Sequence, residues 1–438
     1  MTKLPRRSLL EGLLALGAAG CAAPEPAIAA SDRPRAPADE WQRVRDEFDA
    51  SPAWIHMASF LLASHPRPVR EAIEALRREL DDNPVDALHD HEDPAPVREA
   101  AAAYMGVRAE EIALTDSTTM GLASLYLGLP LRAGDEVLTT AHDHYATHES
   151  LRLAAERTGA TVRKIALYER SSAATAAEMA GAIERAITPA TRIVAITWVH
   201  SSSGVKTPVR AIAEAVARAN QGRAPGDRVL CCVDGVHGFG VDDVTMADLG
   251  CDFFSAGCHK WIFGPRGTGV LWGRAELWPL LRPSVPHFGR EGYGAWLAGR
   301  PAPPTTANMM SPGGFHSFEH RWALPAAFAF HRRIGKARVA ARIHALNRQC
   351  KEGLKGMGHV TLHTPLDEAV SAGLVCFEVA GLTPTAVVTR LRERKIIAST
   401  SPYATSTPAS RRACSARRRT WRRCCALFGR SREGRALA

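Results

Sequence analysis

From Glu111 to Arg274 the chain alternates short apolar runs with longer amphipathic ones, and few folds accept that rhythm. The apolar runs are EIALTD (111–116), EVLTTAH (136–142), TVRKIAL (161–167), TRIVAITWVH (191–200), RVLCCVDGV (228–236), CDFFSAG (251–257) and TGVLWGR (268–274). Runs of this length and composition read as strands. Helical stretches lie between several of them: TMGLASLYLGL, HESLRLAAERTG, AEMAGAIERAI and RAIAEAVARAN. Strands joined by helices predict an α/β fold, a mostly parallel sheet covered by helices. Ligands in such folds bind at the carboxyl ends of the strands. The residues able to do chemistry cluster there.

At 438 residues the chain is long enough for a large core and two domains. The stretch 280–318 is rich in Pro and Gly and irregular. A second helical stretch begins near residue 323, followed by a strand, LVCFEVAG (374–381), and a helix, TPTAVVTRLRERK (383–395). This predicts a large domain over 50–315 and a smaller α/β domain over 316–406. Residues 31–49 read as a linker with an N-terminal helix. Ahead of them, segment 1–30 pairs Arg6 and Arg7 with an apolar run from Leu9 to Gly20 and ends in small residues, AIAA. It resembles a twin-arginine export signal, which implies a periplasmic or extracellular protein, with Cys21 as a candidate lipid anchor.

The formal charge of +10 suggests a nucleic-acid partner until it is located. Thr407–Ala438 holds ten arginines and one glutamate, so the tail carries +9 and the rest of the chain +1. No basic binding face arises from that, and no nucleic acid is expected as a partner. No internal stretch is long and apolar enough to cross a membrane. The ten cysteines show neither zinc-site nor disulfide-framework spacing.

GCHKWIFGPRGTG (257–269) sets Lys260 between two apolar runs. A buried lysine is costly unless it is paired, neutral or covalently used. Desolvation makes its amine easier to deprotonate and able to condense with an aldehyde. If that aldehyde is pyridoxal phosphate, the ring nitrogen needs a carboxylate, the phosphate needs N–H groups at a helix start, and the ring needs a flat partner. Asp234 ends the run CCVD, 26 residues before Lys260. Ser117, Thr118 and Thr119 stand between a strand and a helix. His144 comes after the next strand, and Ser201 ends another.

Together these segments resemble the class V aminotransferases, pyridoxal phosphate enzymes of fold type I, over roughly residues 50 to 406. The nearest likeness is to the isopenicillin N epimerase-like branch, with cysteine desulfurases further off. Asp-x-x-His at 234–237 together with His-Lys at 259–260 is the specific part. The resemblance implies that Lys260 is the Schiff-base lysine and that Asp234 pairs with the ring nitrogen. It implies that His237 contacts the ring hydroxyl and His144 stacks on the ring. Ser117, Thr118 and His259 then hold the phosphate, with Thr119 in the same turn. Ser201 stands where asparagine is common, and Gly257 where serine is common. A homodimer acting on an amino acid or its derivative is also implied. Transamination, epimerisation and β-elimination share their first steps, so the reaction stays open; a C–S or β-elimination lyase is the alternative. The stretch IIASTSPYATS (396–406) has no cysteine, which argues against sulfur transfer through a persulfide. A competing reading makes His142, His144, His148 and HDHED (89–93) metal ligands, but their spacing fits no tetrahedral zinc signature.

After Ser406 the composition changes abruptly. Read one base earlier, the codons can encode Tyr-Ala-Arg-Leu-Ala-Pro-Gly-Leu-Leu and, further on, Asp-Val-Ala-Ala-Val-Leu-Arg-Ala, an ordinary amphipathic segment; the resemblance implies an arginine in such a stretch that grips a substrate carboxylate. A shifted frame is therefore expected. As written, Arg411 and Arg412 sit in PASRRACSARRR, whose pattern suits neither a buried strand nor a helix.

Overall fold

The computed structural model describes residues 40–401, residue 403 and the backbone of 408–411. Segment 1–30, expected to be an export signal, and most of the arginine-rich tail lie outside the described residues. The described residues from Trp41 onward belong to one compact unit.

Thirteen strands are described: β1 (Ile55–His56), β2 (Ile112–Thr115), β3 (Glu136–Thr140), β4 (Thr161–Ile165), β5 (Thr191–Thr197), β6 (Leu230–Asp234), β7 (Phe253–Gly257), β8 (Gly269–Gly273), β9 (Val360–Leu362), β10 (Leu374–Val379), β11 (Ile396–Ile397), β12 (Ser399–Thr400) and β13 (Pro408–Arg411). Seven of them make one sheet in the order β2-β8-β7-β6-β5-β3-β4. Every pair in it is parallel except those of β8, which runs against both β2 and β7. All seven predicted strands form, and the fold is the expected α/β type. Helices Thr118–Gly128, Tyr145–Thr158, Ala176–Ala186 and Val209–Ala219 supply the predicted cover.

Side chains alternate across a strand, so each strand feeds two cores. Ala113, Ile193, Ala195, Cys232, Phe253 and Leu271 pack with Leu122, Leu125 and Leu151 of the first two helices. Their strand neighbours Leu114, Val194, Ile196, Val233, Phe254 and Val270 pack with Met179, Ile183, Ile212 and Val216 on the other side. Burying a side chain such as Phe253 or Phe254 contributes about 1.5–3 kcal/mol. The adjacent cysteines Cys231 and Cys232 are therefore small core residues on opposite faces.

A second sheet has the order β12-β13-β10-β9. Helix Lys336–Lys355 contributes Cys350 and Leu354 to its core, and helix Pro384–Glu393 contributes Val387 and Leu391. The long helical stretch predicted from 323 is broken at Gly335, with φ +97°, into Leu324–Ile334 and Lys336–Lys355. The tail expectation is corrected for four residues. Pro408–Arg411 pairs antiparallel with β10 and β12, Ala409 facing both Cys376 and Ser399. A ladder is made by backbone groups, so a polar segment without apolar alternation can still occupy it.

The loop after β5 docks on the second sheet. Thr364 Oγ1 donates to Ser203 O at 2.7 Å and accepts from Cys376 N–H at 2.8 Å, while Lys206 N–H donates to Val370 O at 2.9 Å. Gly204 makes this approach possible. Its φ is +73°, and a Cβ there would lie 2.7 Å from both Leu374 O and Thr364 Oγ1. Gly204→Ala should therefore lower unfolding free energy by about 2 kcal/mol or more, combining left-handed strain with the clash. Chemical denaturation measures this; an unchanged midpoint would refute the docking.

Candidate active site

The carboxyl ends of β2, β3, β5, β6 and β7 lie along one edge of the large sheet, and each leads into a segment singled out from the sequence. β2 turns into helix Thr118–Gly128 through Ser117, whose extended backbone and Oγ, accepting from Met120 N–H at 3.2 Å, cap the helix. Thr118 is buried, and its Oγ1 accepts from Gly257 N–H at 2.7 Å, tying the turn to the end of β7. Thr119 is exposed on the first turn. The leading N–H groups of a helix have no intrahelical partner and carry its positive end, which suits an anion. His259 completes this corner. Its Nδ1 is buried without a hydrogen-bond partner among the described residues. Burial and the neighbouring Lys260 charge lower its pKa, so the ring is neutral. A Cβ on Gly257 would come 2.8 Å from His259 Cε1 and 3.2 Å from Thr118 Oγ1. The imidazole thus fills the space a side chain at 257 needs.

Lys260 sits on a tight turn closed by Gly264 N–H to Cys258 O at 2.8 Å. Phe263 in that turn has φ +59°, a strained value for an aromatic residue. Its ring is held by Phe48 at 5.1 Å and Phe330 at 6.4 Å, which offsets the strain. Lys260 Nζ lies 3.2 Å from His237 Nε2, and the Trp261 indole N–H donates to His237 Nδ1 at 3.4 Å. Phe60, from the segment after β1, lies 5.8 Å from the His237 ring. Asp234 ends β6, buried, with Oδ1 accepting from Val236 N–H at 3.1 Å. Burial raises its carboxyl from 3.8 to about 6, with the Asp143 charge adding to that; the Val236 N–H and Lys260 pull the other way.

His144 caps helix Tyr145–Thr158, its Nδ1 accepting from Ala146 N–H at 3.1 Å, and burial and Lys260 lower its pKa. The other candidate metal ligands of that segment are spent on structure. His142 Nε2 accepts from Leu167 N–H at 3.2 Å, and His148 Nε2 donates to Thr140 O at 2.8 Å. Ser201 is buried beyond β5, with Oγ 2.7 Å from the hydroxyl of Tyr403. The Tyr403 ring meets that of His144 edge-on at 6.2 Å.

Ser117, Thr118, His144, Ser201, Asp234, His237, His259 and Lys260 thus gather at one edge, with Thr119 on its rim. Three further residues of the edge are not singled out by the sequence reading. Asp143 is hidden inside HDHY, where an acid straight after a buried strand is the available signal. Trp261 stands out only as a neighbour of Lys260. Tyr403 is separated from Ser201 by 202 residues, and nothing local announces it.

A family model described as aminotransferase class-V matches residues 63–417. An isopenicillin N epimerase of Amycolatopsis lactamdurans is 26% identical over 356 residues, covering 80% of this chain and 87% of that protein. A cysteine desulfurase of Klebsiella pneumoniae (strain 342) is 28% identical over 291 residues, covering 65% and 66%. Among solved structures, a C-DES mutant with glycine covalently linked to its PLP cofactor aligns with a TM-score of 0.79 at 23% identity, covering 88% of this chain and 99% of that one. The site fits that cofactor: a buried carboxylate for a protonated ring nitrogen, and an unpartnered histidine nitrogen beside a helix start for a phosphate. With the family match spanning most of its length, the chain belongs to the class V aminotransferase family of pyridoxal phosphate-dependent enzymes.

Proposed function

We propose that this chain acts at the α-carbon of an amino acid or amino-acid derivative, in the manner of the isopenicillin N epimerase-like branch. The observation that carries the reading is the meeting of Lys260 with the buried Asp234 and the Ser117–Thr118 turn at one sheet edge. When bound, pyridoxal phosphate supplies an electron sink that weakens bonds at the α-carbon. Ser117, Thr118, His259 and the helix N–H groups would hold its phosphate, and Asp234 would face its ring nitrogen. Lys260 Nζ would hold the cofactor and carry the proton at the reacting carbon. Ser201 and Tyr403 border the substrate side.

The alternative, a C–S or β-elimination lyase, draws support from the cysteine desulfurase relative. Transfer through a persulfide is disfavoured. Among the described residues, Cys258 precedes His259 and Cys376 has its Sγ 3.9 Å from Ser201 O, but both thiols are buried, Cys376 on β10 and not on a loop. We further propose a homodimer that covers the apolar residues of the irregular stretch, where Phe288, Tyr293, Trp296, Leu297 and Phe315 are exposed. Sedimentation equilibrium should give twice the 47.3 kDa chain mass, allowing for any processing of segment 1–30; a monomer would refute the dimer.

Purified protein with pyridoxal phosphate should show an absorption band in the visible to near-ultraviolet range, and Lys260→Ala should abolish it. A band that survives the substitution removes Lys260 from this role. Scoring keto acid, inverted amino acid and released leaving group over one amino-acid panel then separates the two readings.

Asp234 gives a test without cofactor. Its carboxyl is raised by folding to about 6, so the folded protein binds the proton more tightly than the unfolded chain. The stability this group contributes is complete below about pH 4 and is lost as pH rises through about 6. Asp234→Asn keeps the neutral shape. The cofactor-free variant should match the parent at pH 4 and exceed it by about 3 kcal/mol above pH 7, measured by chemical denaturation. Parallel pH profiles would show that the carboxyl is not held in this way.

A further inference from the structure

Trp261 comes directly after Lys260, and its indole turns back under the site. The side chain is buried, and the two contacts of His237 decide more than its position. The indole Nε1–H donates to His237 Nδ1 at 3.4 Å, and His237 Nε2 lies 3.2 Å from Lys260 Nζ. An indole N–H donates and never accepts, so Nδ1 must be the bare nitrogen. A neutral imidazole then carries its proton on Nε2 and presents it to Nζ. An ammonium group has no lone pair to receive it; an amine has. The amine is also the form that adds to a carbonyl carbon.

We propose that Trp261 is a positioning residue that holds His237 in the Nε2–H tautomer and so favours the amine form of Lys260 over its ammonium. The packing fixes the indole for this purpose. A Cβ on Gly373 would lie 2.6 Å from Trp261 Cη2, and one on Gly240 would lie 3.1 Å from Trp261 Cβ, so bare glycines flank the residue on two sides. The Phe60 ring lies 5.8 Å from that of His237, which is itself buried. The same Nε2–H would remain a donor toward the ring hydroxyl that family likeness places beside His237. The consequence for Lys260 rests on the proposed function; the tautomer does not.

The test uses full-length, cofactor-free protein labelled with 15N at histidine, with the His237 signals identified by their loss in His237→Gln. Long-range proton–nitrogen spectra should show His237 protonated at Nε2 and bare at Nδ1. Trp261→Phe keeps an aromatic ring in this space and removes the N–H. It should let the Nδ1–H form appear and slow growth of the visible band after addition of pyridoxal phosphate by about two- to tenfold, the value of one neutral hydrogen bond. A wild-type His237 protonated at Nδ1 overturns the proposal, and so does an unchanged tautomer in Trp261→Phe. Should that variant fail to fold, the wild-type spectrum decides. An Nε2–H tautomer in a protein that never forms the band would support the lock and refute the enzymatic reading.

Discussion

One buried carboxylate, Asp143, holds together the strand ends on which the site is built. Its Oδ2 accepts from Thr139 Oγ1 and Thr140 N–H at the end of β3, each at 2.8 Å. Its Oδ1 accepts from Thr197 N–H at the end of β5, also at 2.8 Å. His200 Nε2 stands 3.8 Å away, neutral because burial lowers its pKa to about 4. Without Asp143, two backbone N–H groups would lose their partners inside the protein, at a cost of about 1–3 kcal/mol each. The clamp also aims the residues beside it. His144 is next in the chain, and Thr197 pairs in register with Asp234.

Two carboxylates thus share one sheet edge, and their proximity is part of the chemistry. Asp143 is satisfied by donors, while Asp234 keeps a raised carboxyl that a positive ring nitrogen would relieve. The histidines around them are pushed the other way by burial and by Lys260, so His144 and His259 are neutral rings at neutral pH. A carboxylate whose raised carboxyl a cation would relieve, set near a helix start that suits an anion, matches a flat cation carrying a phosphate. The C-terminal sheet contributes as well. The Ser201–Lys206 loop is docked on β10, and Tyr403 reaches Ser201 from beyond β12.

Much of this was legible in the residues. Seven apolar runs became the seven strands of the large sheet; six are buried on both faces, which leaves a continuous apolar run, while the edge strand β4 is partly exposed. Some run ends coincide with the strand ends and the others lie one to three residues outside them. The reversed direction of β8 was not legible, because a short apolar run carries no sign of its orientation. Nor was the strand Pro408–Arg411, which is recruited by backbone groups of β10 and β12 and not by its side chains.

Sequence alone determined the fold class and the family, and it named most of the residues that meet at the sheet edge. A lysine after one buried strand, an aspartate ending another and hydroxyls before a helix are local facts about spacing and chemical type. Tertiary structure alone decided how those residues are held. The Asp143 clamp on β5, the Tyr403 hydroxyl on Ser201 and the Gly257 space filled by His259 all join segments far apart in the chain or dependent on its turns. Such contacts depend on which strand ends meet and on which atoms face each other there. That is settled when the strands pair and the loops dock, and no single segment carries the information.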